Sequence, residues 1–549
     1  MPTIDVNLKD LQELVGRKLS LDEVKELACY AKSAVDSTLD ENGNFRLEVS
    51  DTNRPDLLST EGIARELKGQ LGLEKGLPVY KLKDSGLSII VDESVKGIRP
   101  IVVGAVVKNV KVTEQLLVQL IQLQEKVCLT YGRKRKEAAI GIYDFDKIKW
   151  PITYKAFKPR ALKFKPLESG EELYLDEILE QHPKGREYAH LLKGLKAYPI
   201  LIDAKDEVCS MPPIINSATT GKVSGHSTSL FVEATGNNLE VVITALNVIV
   251  CALAERKARV EGITIVEGKK KTASTNLDAK EAVLDKSFFE KISGLMVSEK
   301  ELVELLAKRR ITAEAKNGKI KAGYPAYRND IMHEIDLAED ALISFGFNEV
   351  DPELPKLPVN GSELKEAAFE RKVREACIGL GLQETMTFHL TSKEKQEKKM
   401  NLKKIEFAEI ANPISLNSEA YRKSIIPELL EFIAGNKHVQ LPQAAFELGR
   451  TVHLNKANDN GVEEKKVLTI LLTASEIDFT KIKSVLQALS NAFGWPFELA
   501  ESRHESFIEG RQAVISFKDG RKGILGEINP VVLENFGLEN PVAALEIEI

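Results

Sequence analysis

The chain has no pair of cysteines spaced as C-x-x-C. Its five cysteines, Cys29, Cys128, Cys209, Cys251 and Cys377, are scattered and odd in number. That pattern argues against a zinc ribbon and fits reduced thiols in a cytoplasmic protein. The opening MPTIDVNLKDLQEL has no basic segment followed by an apolar run, so no signal peptide is expected. No stretch reaches the roughly 20 apolar residues that a bilayer requires. The most apolar one, Leu239 to Leu253, is interrupted by Glu240, Thr244 and Asn247 and reads as a buried helix, so no membrane partner is expected. An excess of positive charge is missing too: 76 basic residues face 82 acidic ones, a net charge of −6. Contact with RNA must then come from local patches or from a more basic partner. There is no P-loop, no G-x-G-x-x-G, no H-E-x-x-H and no H-x-x-E-H, the eight histidines are isolated, and no repeat or low-complexity tract stands out.

What is present is 549 residues with 43% hydrophobic and 29% charged content, an ordinary globular composition. One core cannot serve so long a chain, and about three to five domains follow as a prior. The pattern is α+β and multidomain. A small α+β domain over 1–84 opens with the strand-like PTIDV, then a capping-box spacing at Ser20 and Glu23 leading into a helix. A larger α+β region spans 85–268 and closes on GKKKTAS, a basic polar segment read as a linker. The 269–352 module has a second capping-box spacing at Ser298 and Glu301. It continues with a hairpin turning at Asn317-Gly318 and a helix through IMHEIDLAEDALISFGF, an order that predicts a winged-helix-like domain. DPELPKLPVNGS reads as the clearest linker. The final domain, 353–549, is rich in strands (KIEFAEIA, AAFELGRTVHL, KVLTILLTA, RQAVISF), with helices at 364–381 and 479–494.

Two groups of residues carry possible chemistry. Asp336, Glu339 and Asp340 stand at i, i+3 and i+4, so they share one helical face, with Asp330 at the expected helix start. Grouped carboxylates suit magnesium, but the spacing by itself is met more simply by an N-cap followed by a solvated acidic face. In the block LIDAKDEVCSMPPIIN…SLFVEATGNN, the adjacent Pro212 and Pro213 break a strand, and Thr235 to Asn238 read as a turn before the buried helix. Ser210, Asn216, Glu233 and Thr235 there form a candidate polar cluster in an apolar setting, the composition of a small-ligand pocket; turn and capping chemistry is the alternative. A basic patch, Arg133 to Lys136 beside Tyr131, suits either RNA contact or plain solvation. NPISLNSEAYRKSIIPELL…FELGRTV reads as a packing motif. No catalytic dyad is evident.

Taken together and in order, NRPDLLSTEGIARE, AAIGIYDFDKI, MPPIIN…FVEATG, YRNDI…EIDLAEDALISFGF, NPISLNSEAYRKSIIPELL, FELGRTV and GILGEINP resemble the phenylalanyl-tRNA synthetase β chain of the archaeal/eukaryotic type. The end of the sequence soon after GILGEINP suggests no additional C-terminal anticodon-binding domain. The resemblance implies a heterotetramer of two α and two β chains, in which α binds phenylalanine, ATP and the tRNA acceptor end. It implies that 353–549 is a class II synthetase-like antiparallel-sheet domain without catalysis; Glu509-Gly510-Arg511 only superficially resembles a catalytic motif. It also implies that 85–268 is an editing domain hydrolysing mischarged tyrosyl-tRNA, its site lined by Leu201, Ser210, Asn216, Glu233 and Thr235. A magnesium site shared with α is implied at Asp330, Asp336, Glu339 and Asp340, the last in place of the family's usual Glu. A free-standing deacylase and a non-catalytic RNA-binding scaffold are the alternatives to a ligase subunit.

Overall fold

A computed structural model describes every residue from Met1 to Ile549. Two units emerge, Met1–Glu353 and Leu354–Ile549. No helix is long and apolar enough to cross a membrane, and all five cysteines are unpaired.

The first unit begins with a three-stranded antiparallel sheet, Thr3–Asn7, Asn44–Val49 and Ser33–Val35. It is backed by the helices Leu8–Val15, Leu21–Ala28 and Thr60–Gln70. The Ser20 hydroxyl accepts from Glu23 N and the Glu23 carboxylate accepts from Ser20 N, so the capping box forms as its spacing predicts.

A ten-stranded mixed sheet follows. Its order runs Ile215–Asn216, Val208–Met211, Tyr198–Ile202, Ile152–Phe157, Leu82–Val91, Arg259–Glu267, Ile101–Lys108, Ser229–Gly236 and Ala138–Asp144. The tenth strand, Lys270–Ala273, pairs with Thr264–Glu267, so GKKKTAS is a hairpin turn and strand rather than a linker. All four residues of that strand are exposed, and without a buried face there is no hydrophobic period to read. The strand Leu82–Val91 crosses the domain boundary expected at residue 84. The helix Leu239–Glu255 packs on the sheet and is buried as its all-round apolar sequence requires. Asn238 caps it, accepting from Glu240 N and Val241 N; Thr235 and Gly236, expected in a turn, belong to the preceding strand.

The opposite ends of this strand order meet. Asn216 Nδ2, on one edge strand, donates to Ile142 O on the other at 3.2 Å. Arg135, just before the latter strand, donates from one guanidinium nitrogen to Pro213 O (3.1 Å) and Ile214 O (2.8 Å). The sheet therefore curls until its two edges are joined by side chains rather than by a backbone ladder.

The last part of the unit is a three-stranded sheet, Lys280–Asp285, Lys319–Tyr324 and Thr312–Lys316, packed against Lys286–Ser293, Glu299–Lys308 and Glu334–Phe345. This is the winged-helix-like arrangement expected from the sequence. The hairpin turns at Asn317 (φ 54°) and Gly318 (φ 78°), as an Asn-Gly pair favours. The final helix starts at Glu334 with His333 as its cap, so Asp330 lies before the helix and is not its N-cap.

The second unit is built on a seven-stranded, almost wholly antiparallel sheet; the one parallel pair joins Gln383–Glu384 to Ala445–Phe446. Helices Lys365–Gly379 and Phe479–Phe493 pack on one core cluster, while Ile426–Gly435 and Pro530–Asn535 contribute to another. KIEFAEIA is not a strand: only Glu409 makes an isolated bridge, to Ala420. Its alternation of charged and apolar residues comes without ladder partners.

Candidate functional site: a cavity at the seam of the curled sheet

Along the seam lies a cavity of about 920 Å³. Its apolar wall includes Leu120, Ile140, Ile142, Pro213 and Ile214, and its polar lining includes Ser210, Asn216, Glu233 and Arg135. Three of the five residues expected here, Ser210, Asn216 and Glu233, are thus brought together. Leu201 and Thr235 are not among the lining residues. Leu201 stands opposite Ser210 in register but is fully buried in the core with Tyr143 and Phe231. Thr235 is fully buried as well, its hydroxyl accepting from Arg99 Nε at 2.9 Å. Both are supporting residues of the site's walls.

Glu233 is a carboxylate on an interior strand, and the two-residue period puts it on the same face as Phe231 and Thr235. Its cross-strand neighbours are Gly104 on one side and Gly141 on the other. A Cβ at Gly141 would stand 2.6 Å from Glu233 Oε1 and 2.5 Å from the Tyr143 hydroxyl, so the bonded pair fits only because Gly141 has no side chain. Glu233 Oε1 accepts from the Tyr143 hydroxyl at 2.9 Å, and Ser210 Oγ lies 2.7 Å from the same hydroxyl. Glu233 Oε2 is buried and has no partner. Burial pushes the carboxyl up to about 7, against the opposing pull of the Tyr143 hydrogen bond and the Arg99 charge. Burial, reinforced by Glu233, keeps the Tyr143 phenol protonated well above its ordinary range.

Tyr143 and Arg135 were missed as site residues by sequence reasoning. Tyr143 lies in the string IGIYDF, where alternation places it with Gly141 on one face; only strand pairing reveals that Glu233 shares that face. Within the basic patch, Arg133 and Lys134 are exposed but Arg135 is buried. Three successive left-handed residues, with φ of 49°, 53° and 66°, carry Arg135 inward, where it stacks over Tyr188 and pairs with Glu125 at 2.7 Å. This arginine clamps the Pro213–Ile214 loop, which removes it from any solvent-facing RNA patch.

The four carboxylates expected to hold magnesium do not form a group of ligands. Asp330 is gripped by the Arg328 guanidinium, with Nε donating at 3.0 Å. Asp340 is fully buried between Arg328 (2.7 Å) and Arg309 (3.2 Å). Burial alone would raise Asp340, yet the two guanidiniums hold it below the ordinary carboxylate range. Asp336 Oδ2 accepts from Met332 N and His333 N, and Glu339 pairs with Lys32 at 3.2 Å. The network extends through Arg309 to Glu66 and through Arg54 and Arg65 to Asp56. Four guanidiniums, Arg54, Arg65, Arg309 and Arg328, face four carboxylates, Asp56, Glu66, Asp330 and Asp340, nearly all within a dry interior. Charge is already balanced, and a divalent cation would add two uncompensated charges. The residues present do not fit a resident metal, and no step is derived through one.

Comparison with known proteins agrees with the architecture. The model for the tRNA synthetase B5 domain matches residues 283–347, the winged-helix-like module, and that for the phenylalanyl-tRNA synthetase β chain CLM domain matches residues 350–549. A chain combining these two modules is a component of an aminoacyl-tRNA synthetase. The phenylalanine–tRNA ligase β subunit of Pyrococcus horikoshii is 46% identical over 549 residues, covering 100% of this chain and 99% of the relative. That of Archaeoglobus fulgidus is 37% identical over 554 residues, covering 100% and 98%. An N-terminal fragment of the phenylalanyl-tRNA synthetase β subunit from Pyrococcus horikoshii, solved by crystallography, superposes with a TM-score of 0.62 at 48% identity. That likeness covers 63% of this chain and all of the fragment. The chain therefore belongs to the phenylalanine–tRNA ligase β-subunit family.

Proposed function

We propose that the seam cavity is a proofreading site, which hydrolyses the tyrosyl ester of mischarged tRNA. The observation that carries this is Glu233 Oε2, a buried acceptor without a partner beside a cavity whose wall includes Leu120, Ile140, Ile142, Pro213 and Ile214. Tyrosine differs from phenylalanine by one hydroxyl, and an apolar synthetic pocket cannot strongly reject an added hydroxyl. A second pocket with a waiting acceptor selects in the opposite sense. The tyrosine hydroxyl donates to Oε2, whereas phenylalanine has no proton to give and leaves that oxygen unpaired as before. One buried unpaired group costs about 1–3 kcal/mol, roughly 5- to 150-fold in preference.

Hydrolysis adds water to the ester carbonyl carbon, breaks the bond to the ribose oxygen, and returns a proton to that oxygen. With Glu233 given to the tyrosine hydroxyl and Glu125 paired with Arg135, positioning supplies much of the rate. Asn216, tethered through Nδ2 to Ile142 O, keeps its side-chain carbonyl available to orient the water or the ester. Thr235, expected to share that task, is occupied with Arg99.

In this reading the chain works with an α subunit that binds phenylalanine and ATP, in an assembly of two α and two β chains in the cytoplasm, and it takes tRNA as substrate. The β-subunit names of its relatives support a partner α chain. The decisive experiment measures deacylation of tyrosyl- and phenylalanyl-tRNA by the chain, alone and co-expressed with its α partner. Selective loss of the tyrosyl ester that disappears in Glu233→Ala is the expected result. Equal cleavage of both esters, or of neither, refutes the proofreading role.

A further inference from the structure

The phenol beneath Glu233 has no part in the scheme above. Tyr143 is fully buried, and its ring stacks on Phe231 with centroids 5.3 Å apart and planes 27° from parallel. Trp150 packs edge-on against that phenylalanine, at 5.2 Å. The hydroxyl is thus carried on a ring without freedom to swing. It is the sole side-chain hydrogen-bond partner of Glu233. A phenol has one proton to give, and its two neighbours are a carboxylate oxygen and the Ser210 hydroxyl. Charge-assisted bonds are the stronger, so the proton goes to Glu233 and the phenol oxygen receives the Ser210 hydroxyl.

We propose that Tyr143 is the specificity-positioning residue of this site. By holding Oε1, it fixes the carboxylate so that a single oxygen, Oε2, is presented to a phenolic ligand. The proposal rests on the reading of Glu233 given above. Gly141 has a matching part, because any Cβ there would collide with the bonded pair itself. Without the phenol, the carboxylate is free to rotate and to bind water through both oxygens, and Ser210 loses its acceptor. Preorganisation of this kind is what lets one hydrogen bond discriminate.

The charged and titratable groups around Glu233 are Arg99, which is committed to Thr235 and to Lys136 O, and the buried Tyr154 and Cys209. Of the side chains that hold its charge, Tyr143 alone does so by a hydrogen bond. Its removal therefore moves the ionisation of Glu233 to higher pH.

The test is single-turnover deacylation of tyrosyl- and phenylalanyl-tRNA by the full chain with its co-purified partner, between about pH 6 and pH 8. Wild type, Tyr143→Phe and Glu233→Gln are compared, net of spontaneous hydrolysis. In wild type the tyrosyl preference rises with pH as Glu233 ionises. In Tyr143→Phe we expect the preference to fall about tenfold or more and the midpoint of what remains to move upward. A merely structural role would slow both esters alike and leave the midpoint in place. If Glu233→Gln keeps the full preference, the reading of Glu233 itself fails. If Glu233→Gln loses it while Tyr143→Phe keeps both ratio and midpoint, the role of Tyr143 alone is overturned. Should Tyr143→Phe not fold, Gly141→Ala retains both groups but wedges them apart. Loss of preference in that variant supports the proposal, and retention overturns it.

Discussion

A carboxylate in the middle of a sheet is costly unless its charge is suppressed or matched, and Glu233 is matched only on one side. Its ionisation, raised by burial from the ordinary 4.5 to about 7, makes folding pH-dependent. Below about pH 4.5 the group is neutral folded and unfolded, and burial costs little. As pH rises through about 7 the unfolded chain ionises first, and stability is lost, roughly 3 kcal/mol across the whole window. Urea unfolding of wild type and Glu233→Gln in parallel should show the wild type falling behind by that order between acid and mildly alkaline pH. A constant gap between the two would contradict the assignment. At this scale the sequence was partly legible. Glu233 and Thr235, two apart, are visibly on one face, but which face looks into a cavity depends on strand order. The resemblance implies Leu201 and Thr235 as lining, whereas strand order buries both behind the wall and brings Tyr143 to Glu233, which alternation alone does not reveal.

The buried network shows how spacing can be right and chemistry still depend on neighbours. Asp336, Glu339 and Asp340 do share a helix as their i, i+3, i+4 pattern predicts, but Arg309 and Arg328, far away or ignored in the string, take up the charge. Removing one member of a buried pair leaves its partner uncompensated. Arg328→Met should therefore destabilise the first unit by about 3–5 kcal/mol, read as a lowered denaturant midpoint. Millimolar magnesium, by contrast, should leave the melting temperature of the purified chain unchanged. A clear magnesium-dependent rise, abolished by Asp340→Asn, would show that a cation displaces the arginines. The hairpin at Asn317-Gly318 was legible because its turn chemistry is local. Gly318 sits at φ 78° with open space around its missing Cβ, so Gly318→Ala should cost about 1 kcal/mol through backbone strain alone. The exposed hairpin through Lys269–Lys271 was illegible because nothing in it is buried.

For the chain as a whole, the proline-bearing segment after Val350 was legible as a boundary, and the division into two units falls there, at Glu353–Leu354. Residues 351–364 are exposed throughout. Each unit has core clusters of its own. Limited trypsin digestion should cut first near Lys356, and each fragment should keep its own cooperative unfolding transition. Early cleavage elsewhere, or the collapse of one fragment once severed, would contradict that division. The α+β class and the order of modules could be read from alternating patterns and caps, whereas the curling of the large sheet could not. That closure depends on side-chain bonds between strands about 70 residues apart in sequence, Ile142 and Asn216 among them.

The unpaired oxygen of Glu233 also bears on how the cell spends ATP. On the proposed reading, it gives the cavity its bias toward the tyrosyl ester and away from the correctly charged product. A chain carrying Glu233→Leu would lose its bias against phenylalanyl-tRNA and hydrolyse what its partner had just made. Charging and discharge would then turn over against each other, burning nucleotide with no net product, and growth would suffer from the repair site rather than from the error it corrects.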